Sequence, residues 1–147
     1  MRDFPVVFHF RVEFDQISST GESDHDVRFQ EVTGMGAEIT TEEVREGGVN
    51  DYIHRIPTGT KYGNLVLKRG YIASSSVTEW CRNTLENFEF EPKDTTVMLL
   101  NDQHDPIASW RFSRAYPVKW SVSDFKATEN ALVIESMELA YSNFRKV

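Results

Sequence analysis

The chain has 147 residues, 39% of them hydrophobic and 27% charged, with 16 basic against 23 acidic side chains and a net charge of −7. That length gives one domain able to bury a core without cross-links, and the acidic balance argues against nucleic-acid binding, which needs Lys and Arg for phosphate contacts. A single cysteine, Cys81, excludes an internal disulfide and a multi-cysteine zinc site.

The opening run MRDFPVVFHF is interrupted by His9 and followed by Arg11. It predicts neither a signal peptide nor a spanning helix, so synthesis in the cytoplasm without a membrane anchor is expected. Phe8, Phe10, Val12 and Phe14 alternate with His9, Arg11 and Glu13, the pattern of a half-buried strand. Gln16 to Asp26 is polar and turn-rich and reads as a loop. A second strand is expected over Val27–Val32, stopping near Gly34-Met35-Gly36. Ala37 to Val44 alternates weakly, is polar and β-branched, and reads as a strand that extends beyond the core. Gly47-Gly48 marks a turn, Tyr52 to Ile56 returns as a strand ended by Pro57, and Leu65 to Gly70 forms the next one.

One helix is expected. Val77, Trp80, Cys81, Thr84, Leu85 and Phe88 follow the spacing of an apolar stripe, and Ser76 with Glu79 fits a capping box. Val77, Trp80, Cys81, Leu85 and Phe88 are its expected core face. Strands follow over Thr95–Asn101, Ile107–Arg114, Tyr116 or Val118 to Val122, and Ala131–Tyr141, the last with apolar residues on both faces and so covered on both. The sum is a mostly-β (α+β) domain: a single β-barrel or sandwich of antiparallel strands with one flanking α-helix.

The chemical motifs are weak. Gly34-Met35-Gly36 has Ile39 where a dinucleotide loop needs its third glycine, and a strand rather than a helix follows. Gly59-Thr60-Lys61 lacks the order of a phosphate loop. The four histidines, His9, His25, His54 and His104, are scattered and none has helical i, i+4 spacing, so they read as strand and turn residues. Cys81 lies on the apolar helix face as a small hydrophobe. Glu38, Glu42, Glu43 and Glu46 form an acidic run with no neighbour to desolvate one of them, which fits an exposed strand edge and not a hydrolase pair. No catalytic residue, cofactor or metal is expected, and the protein is not expected to be an enzyme.

Several stretches taken in order resemble a known family: FQEVTGM (Phe29 to Met35), REGGVN (Arg45 to Asn50), Ile56-Pro57, LVLKRG (Leu65 to Gly70), Trp80, Leu99-Leu100-Asn101, Trp110-Arg111-Phe112, AYPVKW (Ala115 to Trp120) and the run Ile134 to Leu139. They are similar to the inner-tube proteins of contractile tails, the phage tail-tube family with its relatives in extracellular contractile injection systems. The likeness spans about Phe8 to Tyr141. The type VI secretion tube proteins match less well in sequence and share the implied fold.

The resemblance implies a tail-tube β-barrel subunit, a homo-hexameric ring, and rings stacked into a hollow tube. It implies a sheath protein outside, baseplate and spike proteins at the tip, possible cargo in the lumen, and a final location in an extracellular or membrane-docked particle. The loop Gln16 to Asp26 is longer than the tight turn expected there, so no family contacts carry over to it. Within that reading Glu38 to Arg55 is a hairpin arm reaching a neighbouring ring. Its expected stacking contacts are Glu42, Glu43, Arg45, Glu46, Gly47, Gly48, Asn50, Tyr52 and Arg55, with Lys61, Lys68 and Arg69 as opposite charges. A monomeric β-barrel that binds a small ligand, with Trp110, Phe112, Tyr116 and Trp120 lining a cavity, is the alternative reading of the same residues.

Overall fold

A computed structural model describes residues 9–15, 28–45, 53–72, 75–123 and 133–147. In chain order the elements are β1 His9–Phe14, β2 Arg28–Phe29, β3 Glu31–Thr33, β4 Ala37–Arg45, β5 Ile53–Tyr62, β6 Leu65–Gly70, α1 Ser76–Asn87, β7 Lys93–Leu100, β8 Pro106–Val122, β9 Ile134–Ala140 and β10 Asn143–Lys146. All ladders are antiparallel. Among the described residues, eight strands make one sheet in the order β2-β1-β7-β8-β9-β6-β3, with β10 also paired to β8, while β4 and β5 pair only with each other.

The expected barrel is not closed by hydrogen bonds. One edge ends at β2 and the other at β3, and these are consecutive pieces of one chain segment. Phe29 pairs with Phe10 of β1, while Glu31 pairs with Lys68 of β6. At the changeover the Gln30 N–H donates to the Lys68 carbonyl at 2.8 Å. The backbone itself therefore joins the two edges, and the single strand expected over Val27–Val32 is split there; Val27 lies outside the described residues.

The second corner is β8. The sequence suggests two strands between Ile107 and Val122, because Arg114-Ala115 looks like a break. The chain instead continues as one strand that bends. Its first part pairs with β7 and β10, and Tyr116 onward pairs with β9. Arg114 takes φ 54°, and its N–H donates to the Asp94 carboxylate at 3.0 Å. The β7 register slips between Lys93 and Thr95, so Asp94 bulges toward that bend. A strand that changes sheets through a bend makes the corner of a sandwich.

Inward-facing residues obey the two-residue period. Leu65, Leu67 and Arg69 of β6 and Glu135, Met137 and Leu139 of β9 are buried, while their alternates are half-buried. The two faces of β9 are thus both covered, one fully and the other in part. β10 was not apparent in the sequence at all; Phe144 stacks on Phe112 at 5.0 Å, which holds that short strand to the core.

Helix α1 packs Val77, Trp80 and Cys81 into the core, joined by Thr84. The cap is Ser75, one residue earlier than expected: its hydroxyl accepts from the Thr78 N–H at 3.1 Å. Two expected core residues are corrected. Leu85 is 44% exposed and Phe88 79% exposed. The helix stops at Asn87, and Phe88 turns left-handed at φ 55°, which swings its ring off the stripe; Leu85 falls on the stripe's margin.

Trp80 is 5% exposed, its ring lies 5.3 Å from that of Phe14, and its indole N–H donates to the Glu91 carbonyl at 2.9 Å. Trp80→Ala is expected to cost about 3–5 kcal/mol, as emptying a large core site does. Urea denaturation checks this, and wild-type stability in the variant would remove the stripe from the core.

Candidate assembly surface

The strands β4 and β5 form a ribbon outside the main sheet. Ala37 pairs with Tyr62 at its root and Arg45 with Ile53 at its outer described end. Nearly every described side chain along it is exposed, including Ile39 at 62%, Ile56 at 47% and Val44 at 39%. A two-stranded ribbon buries too little to be stable alone. Its order must come from its root or from a neighbour.

The root is firmly built. Tyr62 sits 5.5 Å from the Phe144 ring and 5.9 Å from that of Tyr141. The Tyr141 hydroxyl donates to the Gly63 carbonyl at 2.6 Å, and burial, with Tyr62 beside it, raises its pKa and keeps it a donor. Gly34 holds φ +87°, and a Cβ there would lie 1.9 Å from the Asn64 carbonyl oxygen, so only glycine lets the two chains pass. Asn64 in turn donates to Glu138 of β9 at 2.8 Å.

The expected contact residues separate into groups. Glu42, Glu43, Arg55 and Lys61 all lie on the ribbon and are exposed. Glu43 faces Arg55 at 4.0 Å, and Lys61 is the register partner of Glu38. Arg45 closes the described part of β4 by its backbone. Glu46, Gly47, Gly48, Asn50 and Tyr52 lie outside the described residues. Lys68 is on the body, bound to Glu31 at 3.4 Å across β3 and β6. Pro57 does not end the returning strand; β5 runs past it to Tyr62.

Arg69 does not fit the expected surface role. It is 2% exposed and bonded to Glu135, which is fully buried, through Nε at 3.2 Å. Its Nη2 donates to Ser75 Oγ at 2.7 Å and Thr78 Oγ1 at 3.3 Å. Thr78 donates onward to Glu135 Oε1 at 2.6 Å, the same oxygen that accepts the Trp120 indole N–H at 2.8 Å. The guanidinium also lies over the Phe29 ring at 5.0 Å. This network ties β6, β8 and β9 to the start of α1. It is the most concentrated polar arrangement in the described core, and it is structural: each charge is paired and fully engaged. Burial, reinforced by Glu135 and opposed by Arg69, pushes the Cys81 thiol up to about 12, so it stays protonated and unreactive.

A second exposed surface lies where α1 ends. Phe88 meets Phe90 edge-on at 4.7 Å, and Phe90 meets Tyr116 at 5.7 Å. Beside the helix an open groove of about 670 Å³ is lined by Tyr71, Ser75, Thr78, Arg82, Leu85 and Trp120, among others. Trp110, Trp120 and Phe144 pack against the core, and Phe112 lies within it. Among the described residues no group of three or more His, Cys, Asp or Glu side chains is arranged to hold a metal, and no helix is long and apolar enough to cross a membrane.

The family model for the T4-like virus tail tube protein gp19 matches residues 6–145. The chain belongs to this tail-tube family. Chains in solved structures have the same fold. A chain in the anti-feeding prophage (AFP) baseplate superposes with a TM-score of 0.79 at 28% identity, over 99% of this chain and 97% of that one. A chain in the extended sheath-tube complex of PVC, an extracellular contractile injection system, gives 0.73 at 24%, over 99% and 93%. Hcp1 from Flavobacterium johnsoniae shares the fold at 0.55 and 16%, over 95% and 94%. No curated protein sequence matches the chain significantly. The chain is an inner-tube subunit of a contractile injection system or phage-like contractile tail, and the family to which it belongs is structural.

Proposed function

We propose that this tube subunit closes head-to-tail into six-membered rings, that the rings stack through the β4–β5 arm, and that the resulting tube is driven through a target envelope by a surrounding sheath. The observation that carries the reading is the arm. An ordered ribbon with a locked root and exposed apolar residues on both faces serves no purpose within one subunit. Heterologous contacts close a ring when the rotation allows, and stacking adds an interface that continues along an axis. Sheath and baseplate proteins are its expected partners, because chains it resembles come from a sheath-tube complex and a baseplate. The particle acts outside the producing cell, the subunit catalyses no reaction, and the lumen is free to carry cargo.

Electron microscopy and sedimentation of the purified protein at rising concentration test this. Rings of six and stacks of rings are expected, and a species that stays monomeric at high concentration across salts, with its particle partners added, would overturn it. Six copies at −7 bring −42 to each ring. Rings of like charge repel, so the stacked fraction should rise as the Debye length contracts from about 30 Å at 0.01 M salt to about 8 Å at 0.15 M. A falling fraction would mean that cross-ring ion pairs outweigh the repulsion.

A further inference from the structure

The arm is not a straight ribbon. Its register pairs Thr40 with Gly59 and then Thr41 with Pro57, leaving Thr58 as the extra residue of a bulge. Bulges bend and twist a strand, and they are one of the few strand sites that accept proline. Here the bend is braced. The Thr40 and Thr58 hydroxyls lie 2.9 Å apart; Thr40 Oγ1 reaches the Gly59 carbonyl and Thr58 Oγ1 the Thr40 carbonyl, each at 3.2 Å. Two hydroxyl protons serve these three contacts, so each hydroxyl can exchange partners without the brace coming apart. These bonds are exposed, in a ribbon without a packed core of its own.

The bend divides the arm into a root half and a tip half. By register, Ile39 and Thr60 share one face of the ribbon, whereas Val44 shares the opposite face with His54, Glu42 and Ile56. The exposed apolar groups therefore point to opposite sides, one before the bend and the others after it. We propose that Thr40 and Thr58 are positioning residues for tube assembly: their clasp fixes an elbow that presents Ile39 on one face, and Val44 with Ile56 on the other, to separate surfaces of neighbouring copies of this chain. This rests on the reading of the arm as the stacking element. A preset bend lowers the ordering cost of each contact, because the ribbon does not have to be fixed at the moment of docking.

Thr40→Val with Thr58→Val keeps side-chain shape and strand preference while removing both hydroxyls. The thermal midpoint of the dispersed double variant should stay at the wild-type value, because the clasp touches nothing in the body. The critical concentration for tube formation, read by sedimentation, should rise about tenfold through the lost preorganisation. Thr40→Ser with Thr58→Ser keeps the hydroxyls and should restore wild-type assembly. A form with Glu43 to Asn50 cut to a tight turn is the comparison. If the valine variant assembles at the wild-type concentration while the shortened form does not, the elbow is overturned and the arm reading stands. If the shortened form also assembles normally, the arm reading and the elbow are both overturned.

Discussion

Glu135→Ala should destabilise the protein by about 3–5 kcal/mol, the usual penalty for removing one member of a buried ion pair. Small domains have only about 5–15 kcal/mol in total, so much of the population would be unfolded on modest heating. The reason is the company Arg69 keeps. Both side chains are almost fully buried, so deleting the carboxylate leaves a guanidinium in the core without its opposite charge, although Ser75, Thr78 and the Phe29 face remain beside it. Thr78 and the Trp120 indole would also lose their shared acceptor. Arg69→Met should cost a similar amount, by stranding the carboxylate. The double variant Arg69→Met with Glu135→Leu leaves neither charge unpaired and should cost much less than the sum of the two. Denaturant titration of the four proteins reads this directly. Additive losses would mean that the two residues stabilise separate parts of the fold. Small losses in both single variants would mean that water reaches the pair.

That pair shows what the sequence carries and where reading it stops. In LVLKRG, Leu65, Leu67 and Arg69 have the same parity, as do Glu135, Met137 and Leu139 in the last long strand. Each strand thus places one charge on its apolar face, of opposite sign to the other. Read alone, Arg69 looks like a surface cation beside Lys68. Its burial follows only from the pairing of β6 with β9, which sets Arg69 directly opposite Glu135. Local pattern served well where the period itself determines the outcome: β1, the buried part of α1, and the exposed polar strand β4. It failed at corners. The sequence marks a break at Arg114, but that one strand bends through it depends on Asp94 from another strand; the split at Gln30 depends on a change of partner and leaves no local mark. β10 is too short for its period to register, and aromatic packing holds it. Ile39 and Ile56, the apolar part of the arm, were overshadowed by the acidic residues around them.

Shortening the arm by replacing Glu43 to Asn50 with a tight turn should leave a folded subunit that no longer stacks into tubes. The fold should survive because the body does not depend on the distal arm. The root is fixed by Tyr62 against Phe144 and Tyr141, by Gly34 passing Asn64, and by the Tyr141 bond to Gly63, all of which remain. The eight-stranded sheet contains neither β4 nor β5. Stacking should fail because each ion pair is weak alone, about 0–1 kcal/mol when exposed, and the useful energy comes from repetition around a ring. Replacing Glu43 to Asn50 in every subunit takes away three charged side chains, Glu43, Arg45 and Glu46, together with the apolar Val44, and it parts Arg55 from Glu43. On the proposed reading the arm serves stacking and not ring closure, so isolated rings without stacks are the expected product by electron microscopy. Normal tubes from the shortened chain would show that another surface carries stacking, with the exposed Phe88 and Phe90 beside half-buried Tyr116 as the next to test. A chain that fails to fold would instead place the distal arm in the core, against the exposure of almost every described side chain on it.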